Sequence, residues 1–315
     1  MTLLYYSPRF LDHETGSHPE KPQRLVAVHK HLDELGLIKR CEQPKWRSVT
    51  DERLSRVHCL DYVREVERYA QAGGGRIEAD TMMSPQSNDV ARLAAGAVCD
   101  ATQRVLQGES LNALCLVRPP GHHALQGGAM GFCLFNHVAI AARLALAEFQ
   151  LSRVLIVDWD VHHGNGTQDA FWTDDQVGFY SIHRFPFYPG SGAADETGAG
   201  KGLGMTRNVP ISFGTSRADY LAKFTDSITR FADHVKPELI LISAGFDAHA
   251  QDPIGSLGLE VEDFTKLSQV VQQLADTHAR GRIVSLLEGG YNVDVLPKCV
   301  ATHLEQLLSH KRDGK

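Results

Sequence analysis

From residue 111 onward, short apolar runs alternate with longer stretches of helical periodicity. The pattern predicts strands at 113–117, 154–158, 177–181, 206–209, 239–243 and 283–287, most of them continuously apolar, as in strands buried on both faces. Helices are expected between and after them at 136–148, 217–235, 261–280 and 293–309. Buried strands separated by helices imply a parallel sheet covered on both sides. Upstream, 3–6 reads as a first strand, 13–22 as a polar loop, and 23–35, 51–57, 61–72 and 88–107 as helices. Residues 73–75 look like a flexible glycine break and 77–86 like a loop. The Gly/Ser-rich stretch 189–204 is a long loop rather than a linker, because the strand–helix rhythm resumes after it. With no internal repeat, the whole chain, 1–315, is expected to form one α/β domain.

Composition narrows the function classes. The 315 residues are 43% hydrophobic, ample for a large core, and the net charge of -6 argues against a nucleic-acid partner. Six cysteines without CxxC spacing suggest reduced, mostly buried thiols. Tyr5, Tyr6, Arg9 and Asp12 come too early for a signal peptide, and no apolar run suits a membrane span. The expectation is a soluble cytoplasmic protein with no membrane partner; homo-oligomerisation is left open.

Binding sites in open α/β sheets lie beyond the carboxyl ends of the strands. The chemically suggestive residues cluster there, at 118–124, 158–165, 181–184, 244–249 and 288–292. If extended geometry continues past 154–158, then Asp158, Asp160 and His162 share one face. Asp160 and His162 would grip one metal ion, with Asp247 from another strand end as third ligand. Three protein ligands and an open position suit catalytic zinc, with iron(II) or cobalt(II) as alternative occupants. In the turn containing His122 and His123, one neutral imidazole would act as general base on water while the other stays positive. Asp158 and Asn165 are placed to fix their tautomers. Tyr291, after Glu288-Gly-Gly, could hydrogen-bond a polarised carbonyl. Taken singly, each has a plainer reading as a cap, a loop residue or a packed side chain; their joint placement at several strand ends favours a site. Phe132, Phe185, Phe187 and Tyr188 could wall an apolar channel. Asp80, by itself, reads as a solvated surface carboxylate.

The segments RPPGHHA, DWDVHHGNGTQDAF, SAGFDAH and LEGGY, with the earlier HPEKPQR and the MGFCLFN segment, resemble the zinc-dependent histone deacetylase superfamily over roughly residues 3–308. The pattern is class II-like, close to bacterial-type deacetylases and acetylpolyamine amidohydrolases. The resemblance implies the single-domain arginase–deacetylase fold around an eight-stranded parallel sheet. It assigns zinc to Asp160, His162 and Asp247, the general base to His123, the second histidine to His122, the partner of the first histidine to Asp158, and carbonyl polarisation to Tyr291. Asn165 stands where some branches carry Asp, which should make His123 less basic. Structural potassium is implied at Asp158, Asp160, His162, Ser181 and Ile182, and a second at 171–177, with Phe171, Asp174 and Val177. The resemblance raises Asp80 to a substrate clamp and adds Gly131, Phe132, Tyr188, Ile254 and Gly289 to the substrate site.

An intact Tyr291 implies a working deacetylase acting on acylated lysines in peptides or proteins, or on a similar small acylated amine. A polyamine-specific branch carries Glu after its Asp-Pro segment; here Ile254 follows Asp252-Pro253. Three rivals stand beside this reading: an acetylpolyamine amidohydrolase, an arginase-type manganese ureohydrolase, and a silent acyl-lysine or partner-binding module. The second needs an Asp after the metal-binding histidine pattern, where this chain has Gly164.

Overall fold

The computed structural model describes residues 1–310. Strands β1 (Leu3–Tyr5), β4 (Asn112–Cys115), β5 (Val154–Asp158), β6 (Val177–Arg184), β7 (Thr206–Ile211), β8 (Leu239–Ala244) and β9 (Ile283–Leu287) form one sheet in the order β1-β4-β9-β8-β5-β6-β7. Every pairing in it is parallel. All residues of β4, β5, β8 and β9 are buried, which is why their sequences are continuous apolar runs rather than alternating ones. The resemblance implied eight strands; among the described residues this sheet has seven. The two further strands, β2 (Gly75–Glu78) and β3 (Thr81–Met83), pair antiparallel as a separate hairpin.

Helices α4 (Ser87–Gln107) and α5 (His137–Phe149) pack together over the sheet, with α2 (Asp51–Leu54) and α3 (Leu60–Gln71) against them. Alanine and valine dominate the buried face of α4, and small side chains let α4 and α5 approach closely. A second group, α1 (Gln23–Glu34), α9 (Leu296–Ser309), α8 (Val261–His278) and α7 (Arg217–Val235), packs in succession. Their ends are set locally. Ser216 caps α7 by accepting from the Asp219 N–H, and a Glu260–Asp263 capping box starts α8. Among the described residues no helix is long and apolar enough to cross a membrane.

Two local expectations change. The stretch 77–86, expected as a loop, holds most of the β2–β3 hairpin and leads into α4 at Ser87. Its backbone pairs across a turn containing Asp80, so no helical or strand periodicity marks it. The strand β5 also stops at Asp158, so Asp160 and His162 lie beyond it, and extended alternation is not what brings them together. A short helix, α6 (Asn165–Phe171), follows the intervening turn.

Candidate active site

The carboxyl ends of β5, β8 and β9 deliver the charged centre. The parallel register sets Asp158 opposite Ser243, and β8 is in turn paired to β9 beside Glu288. Just past these ends, ligand atoms of Asp160, His162 and Asp247 lie within 4.8 Å of one another, all buried. His162 Nδ1 is 3.0 Å from Asp160 Oδ1 and 3.2 Å from Asp247 Oδ2.

The donor set fits a cation. Asp247 Oδ2 is buried and takes no hydrogen bond, an expensive state unless something positive sits against it. Burial, reinforced by Asp160, pushes the Asp247 carboxyl up to about 7. Burial alone would lower His162, but the two carboxylates outweigh it and raise its pKa to about 10. A site that draws a proton so strongly onto a buried imidazole is one that calls for positive charge. Gly289 keeps this space clear: its N–H donates to Asp160 Oδ2 at 2.8 Å, and a Cβ there would stand 2.1 Å from Asp247 Oδ2.

Next to this cluster stand the paired histidines, with ring centroids 4.0 Å apart. His122 Nδ1 bonds Asp158 Oδ2 at 2.9 Å, and His123 Nδ1 bonds Asn165 Oδ1 at 2.6 Å. The two environments differ in charge, and so do the imidazoles. Burial disfavours a charged His122, yet Asp158 and Asp160 overcome it and hold its pKa at about 10. Burial, with positive His122 and His162 nearby, pushes His123 well below its ordinary value. The surroundings thus favour the charged form of His122 and the neutral form of His123. The amide oxygen of Asn165 can only accept, so Nδ1 of His123 carries the hydrogen and Nε2 keeps its lone pair.

His123 and His162 form part of the wall of a cavity of about 230 Å³, with Asp80, Gly131, Phe132, Phe187, Tyr188, Ile254 and Tyr291. The walls are mostly ring faces. Phe187 stacks on His162 at 5.3 Å, and Phe132 meets Tyr291 edge-on at 5.7 Å. Such a slot suits an extended aliphatic chain with a polar end group. Burial raises the Tyr291 pKa well above the phenol range, so it stays a neutral hydrogen-bond donor. Asp80, an isolated surface carboxylate by residue type alone, sits at the mouth and accepts from the Gly131 N–H and the Thr81 hydroxyl at 3.0 and 2.9 Å. Gly131 adopts φ 55°, and a Cβ on it would lie 2.3 Å from the His123 ring.

Comparison with known proteins gives this geometry its context. Residues 18–307 match the histone deacetylase domain family. The chain belongs to the histone deacetylase family. The chain is 37% identical over 295 residues to a histone deacetylase-like amidohydrolase of Pseudomonas aeruginosa, covering 93% of this chain and 77% of the relative. It is 41% identical over 302 residues to human polyamine deacetylase HDAC10, covering 92% of this chain but 44% of that protein. The crystal structure of the HDA15 HD domain superposes with a TM-score of 0.92 at 38% identity, covering 98% and 91% of the two chains. The histone deacetylase chain described here is thus a deacetylase-type hydrolase with the arginase–deacetylase fold.

Most residues singled out in the sequence converge. Gly289 lies behind the metal-ligand set rather than on the cavity wall. Ser181 is opposite Asp158 on β6, with its hydroxyl bonded to His183. Asp174 is paired with Arg143 and caps the N–H groups of Gln176 and Val177. Sequence reasoning missed a buried ionic frame. Arg24 donates to the carbonyls of Glu288 and Gly290 at 2.5 and 2.6 Å, and its guanidinium lies 4.9 Å from the Tyr291 ring centroid. Glu20 bridges Arg24 and Arg118. Glu288, assigned no role from sequence, accepts from the N–H groups of Gly121 and His122 and from Ser243. The sequence signal for the frame was that Glu20, Arg24, Arg118 and Glu288 all stand within the quoted HPEKPQR, RPPGHHA and LEGGY segments.

Proposed function

We propose that this deacetylase hydrolyses the acyl amide of ε-N-acetyl-lysine in peptides or proteins, with other short-chain N-acylated amines as its wider range. The observation that carries the reading is the narrow, ring-walled cavity ending on His123, His162 and Tyr291. Asp160, His162 and Asp247 would hold a divalent cation, zinc in this proposal, which when bound supplies Lewis-acid polarisation and lowers the pKa of water. The aliphatic lysine stem lies between Phe132 and Phe187, and Asp80 accepts from a substrate amide at the mouth. Gly131, Tyr188 and Ile254 complete the wall. Tyr291 donates its hydroxyl to the acyl oxygen and holds the oxyanion that develops there. His123 takes a proton from the attacking water through Nε2 and returns it to the leaving amine. His122, kept cationic by Asp158, favours the negative charge that forms beside it.

A structural potassium on Asp158, Asp160, His162, Ser181 and the Ile182 carbonyl is part of the same proposal. It is supported by the β5–β6 register that sets Asp158 beside Ser181. A second, on the carbonyls of Phe171 and Val177 with Asp174, would share that carboxylate with Arg143. The six free thiols support a cytoplasmic setting.

The polyamine reading is favoured by the human relative's name and by the acidic residue at the mouth. Purified zinc-loaded protein assayed on acetyl-lysine peptides and N-acetylputrescine separates the two. The proposal expects chelator-sensitive turnover of the peptides at the higher kcat/KM; turnover of acetylputrescine alone contradicts it.

A further inference from the structure

Beside the cavity wall stands a guanidinium that no carboxylate pairs among the described residues. Arg184 ends β6 with its Cζ 4.1 Å from the Phe187 ring centroid and 4.5 Å from that of Phe213. Phe187 is a cavity wall residue, so this charge lies directly beside the wall. Phe213 is 67% exposed, and its ring also lies against the guanidinium. One Nη1 hydrogen goes to the Gly255 carbonyl at 2.9 Å, next to the wall residue Ile254. The two ring contacts restrain the half-buried guanidinium, and among the described residues its remaining N–H donors have no protein partner. Among the described residues no acid pairs with Arg184; its contacts are this carbonyl and the two rings. By contrast, the rim acid Asp80 already accepts from Gly131 and Thr81.

A preorganised guanidinium edge matches a carboxylate, which it can bind through two parallel hydrogen bonds. It also repels a second cation leaving the cavity. We propose that Arg184 is a specificity-determining residue that engages a carboxylate beside the acylated amine of the substrate. Preferred substrates are then acyl-lysines with an acidic neighbour or with their own free α-carboxylate, and acylated polyamines are disfavoured. The inference rests on the amide-hydrolysis reading above and deepens it.

The test measures kcat/KM at low salt for matched pairs: an acetyl-lysine peptide with Glu beside the modified residue against its Gln counterpart, and Nε-acetyl-lysine against its α-amide. N-acetylputrescine completes the panel. The acidic member of one pair should be preferred by roughly tenfold, as a charge-assisted hydrogen bond supplies. That ratio should fall with added salt, fall toward one in Arg184→Gln, and be partly kept in Arg184→Lys. Whichever pair shows the effect identifies the source of the carboxylate. Ratios near one in the unaltered protein, ratios unchanged in Arg184→Gln, or acetylputrescine as the best substrate overturn the inference. Absence of turnover on every amide instead sinks the hydrolysis reading, and this inference with it.

Discussion

Asn165 Oδ1 lies 2.6 Å from His123 Nδ1, while the neighbouring His122 is bonded to a carboxylate, Asp158, at 2.9 Å. The difference of one charge between these partners divides the labour of the two imidazoles. Replacing Asn165 by Asp puts a negative charge against His123 and favours its protonated form. An opposite charge at this range raises a pKa by about 1 to 3 units. The base is active when neutral, so the acid limb of the kcat/KM profile of Asn165→Asp should move to higher pH. An unmoved limb would mean that His123 is not the group titrating in catalysis.

Glu288 ties the histidine turn to the end of β9 through Gly121, His122 and Ser243. Burial raises its pKa to about 7, so it works mainly as a hydrogen-bond acceptor on backbone donors. Glu288→Ala leaves two buried N–H groups without their acceptor and should cost about 1–3 kcal/mol of stability. Glu288→Gln keeps an acceptor and should recover most of that loss in denaturant titrations.

The charged frame under Tyr291 sets an acid limit on folding. Burial would raise the Glu20 carboxyl, but Arg118 and His13 outweigh it and hold it well below the ordinary range. A depressed folded-state pKa gives stability that is full above the unfolded value and lost as pH falls toward the folded one. Glu20→Gln should destabilise the protein near neutrality by about 3–5 kcal/mol, because it strands buried Arg118 and Arg24. Its stability should also fall less steeply than that of the unaltered protein below about pH 4.5. Parallel acid-stability curves for the two would remove Glu20 from this role.

How much of this was legible beforehand depends on the range of the interactions. Strands 154–158 and 283–287 and helix 217–235 sit where the hydrophobic pattern put them, since burial on both faces or one stripe writes itself into local sequence. The ligands and paired histidines were legible because chemistry demands particular side chains at strand ends. The β2–β3 hairpin was not: it is short, only partly buried, and begins at the last of three glycines that read as a break. Nor was the contact from Arg24 to Gly290, which joins residues 266 positions apart and leaves no periodic trace. The resemblance assigned Asp80 its place, but the Gly131 N–H that orients it came only with the fold.

Metal binding can be followed without any substrate. A ligand that binds the folded state alone stabilises it by about 2.7 kcal/mol at a concentration of 100 Kd. Zinc added to chelator-stripped protein should raise the melting temperature, and Asp247→Asn should abolish the rise. Gly289→Ala should do the same, since its Cβ would stand 2.1 Å from Asp247 Oδ2. Full zinc-dependent stabilisation of both variants would place the ion elsewhere.

The central claim is that Tyr291 stabilises the oxyanion formed during amide hydrolysis in the cavity it shares with His123. Its most direct test is kcat/KM of Tyr291→Phe on an acetyl-lysine peptide, with zinc content measured on the same sample. Loss of one oxyanion donor should lower the rate by about 100- to 1,000-fold with the metal retained. Turnover equal to that of the unaltered protein would contradict the account.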